Sequence, residues 1–152
     1  MSYLLDTNVI SELRKSARTV DPAVRSWVAA HRPSQLYLSA ITIMEIDIGV
    51  ARVERRDPVQ GQRLRTWLED AVLDAFAGRI LDFDLPSARH AARLHVPDPR
   101  PERVAMIAAT AGRHGMTVVT RNGKDFRELG VAVIDPWVAT RPDQPHTGAR
   151  DC

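Results

Sequence analysis

The residues of this chain that could do chemistry are mostly acidic, and they stand in apolar company. Asp6 follows the run Tyr3-Leu4-Leu5 and is followed by Thr7, Asn8, Val9 and Ile10 in the stretch YLLDTNVI. Glu45 lies between Met44 and Ile46 in ITIMEIDIGV. Asn122 and Asp125 belong to TRNGKDF, with Thr120 ahead of them and Arg121 and Lys124 interleaved. A carboxylate among apolar residues is costly unless it has a partner, and a hard divalent cation is one such partner. Two or three carboxylates converging from different elements would make a Mg²⁺ or Mn²⁺ site that keeps several waters. Such a site can activate a water and stabilise charge on a phosphodiester during in-line attack. Bare carboxylates repel a polyanion, so the cation has to come first.

Each candidate also has a plain structural duty. Asp6, Thr7 and Asn8 are all good helix N-caps. Glu45 could lie on a solvent stripe, and RNGKD has strong turn chemistry. The histidines, at 31, 90, 95, 114 and 146, include no pair at metal-binding helical spacing, since His90 and His95 are five apart rather than four. The sequence holds neither a glycine-rich phosphate loop nor a Gly-x-Ser-x-Gly elbow. Trp27, Trp67 and Trp137 read as packing residues.

The elements that must position these groups follow from periodicity and punctuation. Residues 3–5 read as a short buried strand, followed by helices over about 8–15 and 21–32, the second with Asp21 as cap and Pro22 in its first turn. LYLS, 36–39, alternates as a strand, and Ser39 caps a long helix over 40–56 whose apolar first half should be buried. A helix over 58–76, a strand over 79–84 and a helix over 86–95 come next. DPRP breaks the chain, Pro101 opens a helix to about 114, and Gly115 ends it. TVVT (117–120) and VAVID (131–135) are strands. Short apolar strands alternating with helices predict an α/β fold with a mostly parallel sheet. Ligand sites in such sheets form at the carboxyl ends of the strands. That rule puts Asp6 and TRNGKDF on one edge.

Length and composition bound the rest. The chain has 152 residues, enough for one domain with a real core, and its 44% hydrophobic and 26% charged content is that of an ordinary globular protein. No apolar run approaches the ~20 residues of a membrane span, and no basic-then-apolar leader is visible. The single cysteine, Cys152, excludes a disulfide framework and fits a reducing cytoplasm. A formal charge of +2, from 21 basic and 19 acidic residues, favours nucleic acid only slightly. Lys15 and Lys124 are the only lysines; the arginines suit phosphate forks and ordinary ion pairs alike.

Taken together, LLDTNVISEL, LSAITIMEIDIGV, IAATAGRHGMTVVTRNGKDF and VIDPW resemble the PIN-domain ribonuclease toxins of the VapC family, FitB-like members included. The resemblance spans about residues 2–137. It implies a three-layer α/β/α domain with a central parallel sheet over 1–138, and residues 139–152 as a polar, proline-rich tail. It implies a Mg²⁺- or Mn²⁺-dependent endoribonuclease, the toxin of a type II toxin–antitoxin pair in the cytoplasm. The implied partners are a cognate VapB-type antitoxin, an RNA substrate and a second copy in a homodimer that enters larger toxin–antitoxin assemblies, with no membrane. The implied metal ligands and catalytic acids are Asp6, Glu45 and Asp125, with Asn8, Thr120, Asn122 and Arg121 orienting water and substrate. Relatives usually carry an aspartate where this chain has Val104, in PERVAMIAATA. That residue would be the third acid, and Asp98 and Glu102 are the nearby candidates to replace it. Val104 therefore leaves two readings: a weakened or inactivated nuclease, or a PIN-like module that holds RNA or an antitoxin without cutting. Phosphatases of the haloacid dehalogenase kind also place an aspartate after the first strand, but need a second acid where this chain has Asn8.

Overall fold

The computed structural model describes residues 1–138. Strand β1 (Tyr3–Leu5) is buried at every position and leads into helix α1 (Thr7–Leu13). Helix α2 (Pro22–Ala29) is capped by the Asp21 carboxylate, which accepts from the Ala23 and Val24 amides. Strand β2 (Leu36–Ser39) runs into helix α3 (Ala40–Arg56), with Ser39 accepting from the Ile41 amide as its cap. Helix α4 (Pro58–Thr66) continues through a π-helical stretch, Trp67–Val72, into a last turn, α5 (Leu73–Ala75). Strand β3 (Ile80–Leu81), helix α6 (Leu85–Leu94), helix α7 (Glu102–His114) and strand β4 (Thr117–Val119) follow. Helix α8 (Gly123–Arg127) and strand β5 (Val133–Ile134) complete the described chain.

All five strands are parallel, in the order β3-β2-β1-β4-β5. Alternation along the strands sends side chains to two cores. On one face Tyr3, Leu5, Leu36, Leu38 and Val119 meet Val9, Ile10, Trp27, Ile46, Val50 and Leu68 from α1, α2, α3 and the π-helical stretch. On the other, Leu4 and Val118 meet Ile107, Ala108, Ala111 and Phe126 from α7 and α8. The alanines of α7 let it lie close against the sheet. The result is the three-layer α/β/α arrangement with a parallel sheet that the sequence implied.

Several boundaries and environments differ from expectation. The long helix expected over 58–76 carries the π-helical stretch. Residues 123–127, read as loop, close one helical turn because Phe126 is fully buried and pins it to the core. Met44, in the half of α3 expected to be buried, is 41% exposed; Ile41, Thr42, Ile46 and Val50 form the inward stripe. Helix α7 ends at Gly115, whose φ of 64° is a left-handed cap that glycine adopts without strain. The expected tail, 139–152, lies outside the described residues.

Candidate active site

The site starts from strand register. β1 and β4 are neighbours, with Leu5 level with Val119, so the next residues, Asp6 and Thr120, come side by side at the carboxyl edge. The Asp6 amide donates to the Val119 carbonyl at 2.9 Å, and the Thr120 amide to the Ile134 carbonyl at 3.0 Å. Strand order reverses direction between β1 and β4, which opens a crevice there, as in other doubly wound sheets.

Asp6 is both cap and candidate ligand. Its Oδ1 accepts from the Thr7 amide at 2.8 Å, and its Oδ2 accepts from the Thr120 hydroxyl at 2.7 Å. Only 8% of the residue is exposed. Burial pushes its carboxyl above the ordinary value, and the bonds from Thr120 and Thr7 pull it back only in part. Thr120 Oγ1 is a hub. It donates to Asp6 and accepts from Asn8 Nδ2 at 3.2 Å and from the Asn122 amide at 3.0 Å. Asn8 Oδ1 in turn accepts from the Arg121 amide.

Glu45 arrives from α3, in the second turn after the Ser39 cap, and is half-buried. Its Oε1 accepts from the Thr7 hydroxyl at 2.9 Å, and its Oε2 is 3.7 Å from Arg103 Nη1. Thr7 therefore ties the two acids together, through its amide to Asp6 and its hydroxyl to Glu45.

These groups open into a cavity of about 540 Å³. Asp6, Asn8, Glu45 and Asn122 line it, as do Arg14, Lys15, Arg103 and Arg121. Val104 and Trp137 supply apolar wall, and the Arg121 guanidinium lies over the Trp137 ring at 5.1 Å. Acids stand together with a basic set, the pairing expected of a site that holds a cation and then a polyanion.

Three expectations meet a different geometry. Asp125 does not line the cavity; helix α8 turns its Oδ2 to Asn122 Nδ2, at 2.9 Å. Among the described residues no three Asp, Glu, His or Cys side chains gather closely enough to hold a metal, so the expected set of Asp6, Glu45 and Asp125 is not assembled. Nor does a neighbour replace the acid at Val104. Glu102 points to a separate cavity with Phe83, His95 and Met106, while Asp98 sits exposed in the loop after α6. Thr7 and Arg103 were missed from the sequence. Thr7 is signalled only by its place between Asp6 and Asn8, and nothing in the sequence signals Arg103.

The donor set still fits a divalent cation of the kind that keeps most of its waters. Mg²⁺ is commonly bound through one or two carboxylates plus waters and phosphates. Asp6 supplies a buried carboxylate that accepts from two neutral donors, the Thr7 amide and the Thr120 hydroxyl, and Glu45 supplies a second.

The PIN domain family matches residues 3–132. The chain is 42% identical over 142 residues to the VapC ribonuclease Y4jK of Sinorhizobium fredii, covering 88% of this chain and 96% of that protein. It is 39% identical to toxin FitB of Neisseria gonorrhoeae, over 88% of this chain and 97% of FitB. Among solved structures, FitAcB from N. gonorrhoeae superposes with a TM-score of 0.80 at 38% identity, covering 90% of this chain and 99% of that one. On this match and this sheet order, the chain belongs to the PIN-domain family and stands among its VapC- and FitB-type members.

Proposed function

We propose that the chain is the toxin of a toxin–antitoxin pair, an endoribonuclease that hydrolyses RNA phosphodiester bonds with Mg²⁺ or Mn²⁺ held at Asp6 and Glu45. One observation carries the site: a buried carboxylate at the end of β1 and a half-buried one from α3, tied through Thr7, share a cavity with four basic side chains. PIN-domain ribonucleases of the VapC kind depend on a divalent metal ion. Bound there, the ion would activate a water and offset charge developing on the phosphate. Thr120 favours the ionised form of Asp6 by donating to it, Asn8 and Asn122 orient water or phosphate oxygens, and Asp125 acts indirectly by holding the Asn122 amide. Arg121, stacked on Trp137, offers its guanidinium to the RNA backbone.

Val104 stands where a third acid would complete the set, so activity is weakened in this chain. Residues 1–138 act as one domain, as a homodimer in the cytoplasm. No described helix is long and apolar enough to cross a membrane. The antitoxin blocks the cavity by presenting a guanidinium to the carboxylates that otherwise hold the metal.

The test is Mn²⁺-dependent cleavage of total RNA by this chain, Val104→Asp and Asp6→Ala side by side. Val104→Asp should cut at least about tenfold faster, and Asp6→Ala should not cut. Should the unaltered chain and Val104→Asp both leave RNA intact under Mn²⁺, the nuclease reading is lost and binding without cleavage replaces it.

A further inference from the structure

We infer that Arg103 is a built-in counter-ion of the cation site: in the metal-free chain its guanidinium holds Glu45, and a divalent cation gains Glu45 only by displacing it. Both oxygens of Glu45 are engaged, Oε1 by the Thr7 hydroxyl at 2.9 Å and Oε2 by Arg103 Nη1 at 3.7 Å. The Thr7 bond is compatible with a cation, because a hydroxyl can donate to a carboxylate that also binds metal. The Arg103 contact opposes one, because the guanidinium is itself a positive charge at the carboxylate.

The position of Arg103 argues that the pairing is specific. It lies in the first turn of α7, where the aligned peptide dipoles disfavour a positive side chain. Its ion-pair partner is Glu45, while Glu102, the acid in the same turn, lines a separate cavity. The next residue, Val104, also faces the cation-site cavity but brings no carboxylate. The side chain of Arg103 is 49% exposed, so it can swing into solvent without unpacking the core. The consequence is a site whose metal affinity is set by competition: the guanidinium weakens cation binding both by occupying Glu45 and by repelling the incoming charge.

This inference rests on the reading of Asp6 and Glu45 as the cation site, and the experiment separates the two. Mn²⁺ binding to the full chain is titrated by electron paramagnetic resonance of the free ion, with no RNA present. The proteins are the unaltered chain, Arg103→Gln, Arg103→Ala and Asp6→Ala. Both Arg103 variants should bind Mn²⁺ roughly three- to tenfold more tightly, and Asp6→Ala more weakly. Equal or weaker binding by Arg103→Gln and Arg103→Ala, with Asp6→Ala still impaired, overturns the role of Arg103 and leaves the site standing. Unimpaired binding by Asp6→Ala overturns the site itself. Thermal unfolding of each variant confirms that it is folded; with two different replacements at a half-exposed position, a single misfolded variant does not block the answer.

Discussion

Thr120 shows how much one hydroxyl can be asked to do. It has one proton and two lone pairs, and all three are used: the proton on Asp6 Oδ2, the lone pairs by Asn8 Nδ2 and the Asn122 amide. Thr120→Val keeps the shape and the β-branch of the strand end but removes all three bonds. A buried carboxylate that loses a donor bears much of its desolvation cost, so the metal-free protein should lose about 2–3 kcal/mol of stability. The direction of the titration also follows. Burial already holds the Asp6 carboxyl above its ordinary value, and the Thr120 bond works against that. Removing the bond raises it further, so the acid limb of the pH–rate profile should move to higher pH. A profile whose acid limb stays in place, or moves to lower pH, would show that Asp6 is not the group whose ionisation limits activity.

At the scale of elements, the delivery of Glu45 depends on how α3 packs. Helices α3 and α4 form a close antiparallel pair, clamped by Arg65, whose guanidinium reaches Asp47 at 2.7 Å and Glu54 at 2.6 Å. Gly61 permits the approach: a Cβ there would lie 2.4 Å from the Glu54 Cα, a backbone atom that cannot step aside. Gly49, also helical, has open space where its Cβ would go. The same substitution should therefore have opposite signs. Gly49→Ala should stabilise by about 0.5–1 kcal/mol through helix propensity. Gly61→Ala should destabilise by about 1–3 kcal/mol, because the clash outweighs that gain. Thermal melts of the two variants decide this, and a higher melting point for Gly61→Ala would mean that the helices are not packed this closely. The sequence shows the main strands and the longer helices but not how they meet. The apolar run before Asp6 and the β-branched TVV announce two strand ends on one edge of the sheet; their pairing, which sets Asp6 level with Thr120, comes from the register. The resemblance implies Asp125 as a ligand, but the turn at 123–127 is too short to show helical periodicity, so the sequence does not reveal that its carboxylate meets the Asn122 side chain. Arg103 was invisible because its meaning lies in a contact with α3, more than fifty residues away in the chain.

For the whole molecule, a carboxylate buried at the end of the sheet's central strand links folding, protons and metal. The folded-state value of Asp6 lies above the unfolded one, so the folded chain holds that proton more tightly. The stability this confers is fully present below the unfolded value, near 3.8, and is lost as pH rises through the folded value. Other acids titrate over the same range, so the comparison is with Asp6→Asn, which cannot ionise. Without metal, the unaltered chain should lose more stability between pH 4 and pH 8 than Asp6→Asn does. A divalent cation reverses the trend, because it binds the ionised carboxylates of the folded state and its affinity grows as they lose their protons. At a Mn²⁺ concentration of about one hundred times the dissociation constant, the gain is about 2.7 kcal/mol, or an upward shift of the melting point by roughly 10 °C. The shift should be larger at pH 8 than at pH 5, should vanish on chelation, and should be absent in Asp6→Asn. Parallel pH curves for the two proteins without metal would mean that burial does not hold the Asp6 proton in the folded chain. An equal Mn²⁺ shift in both would place the cation elsewhere in the molecule.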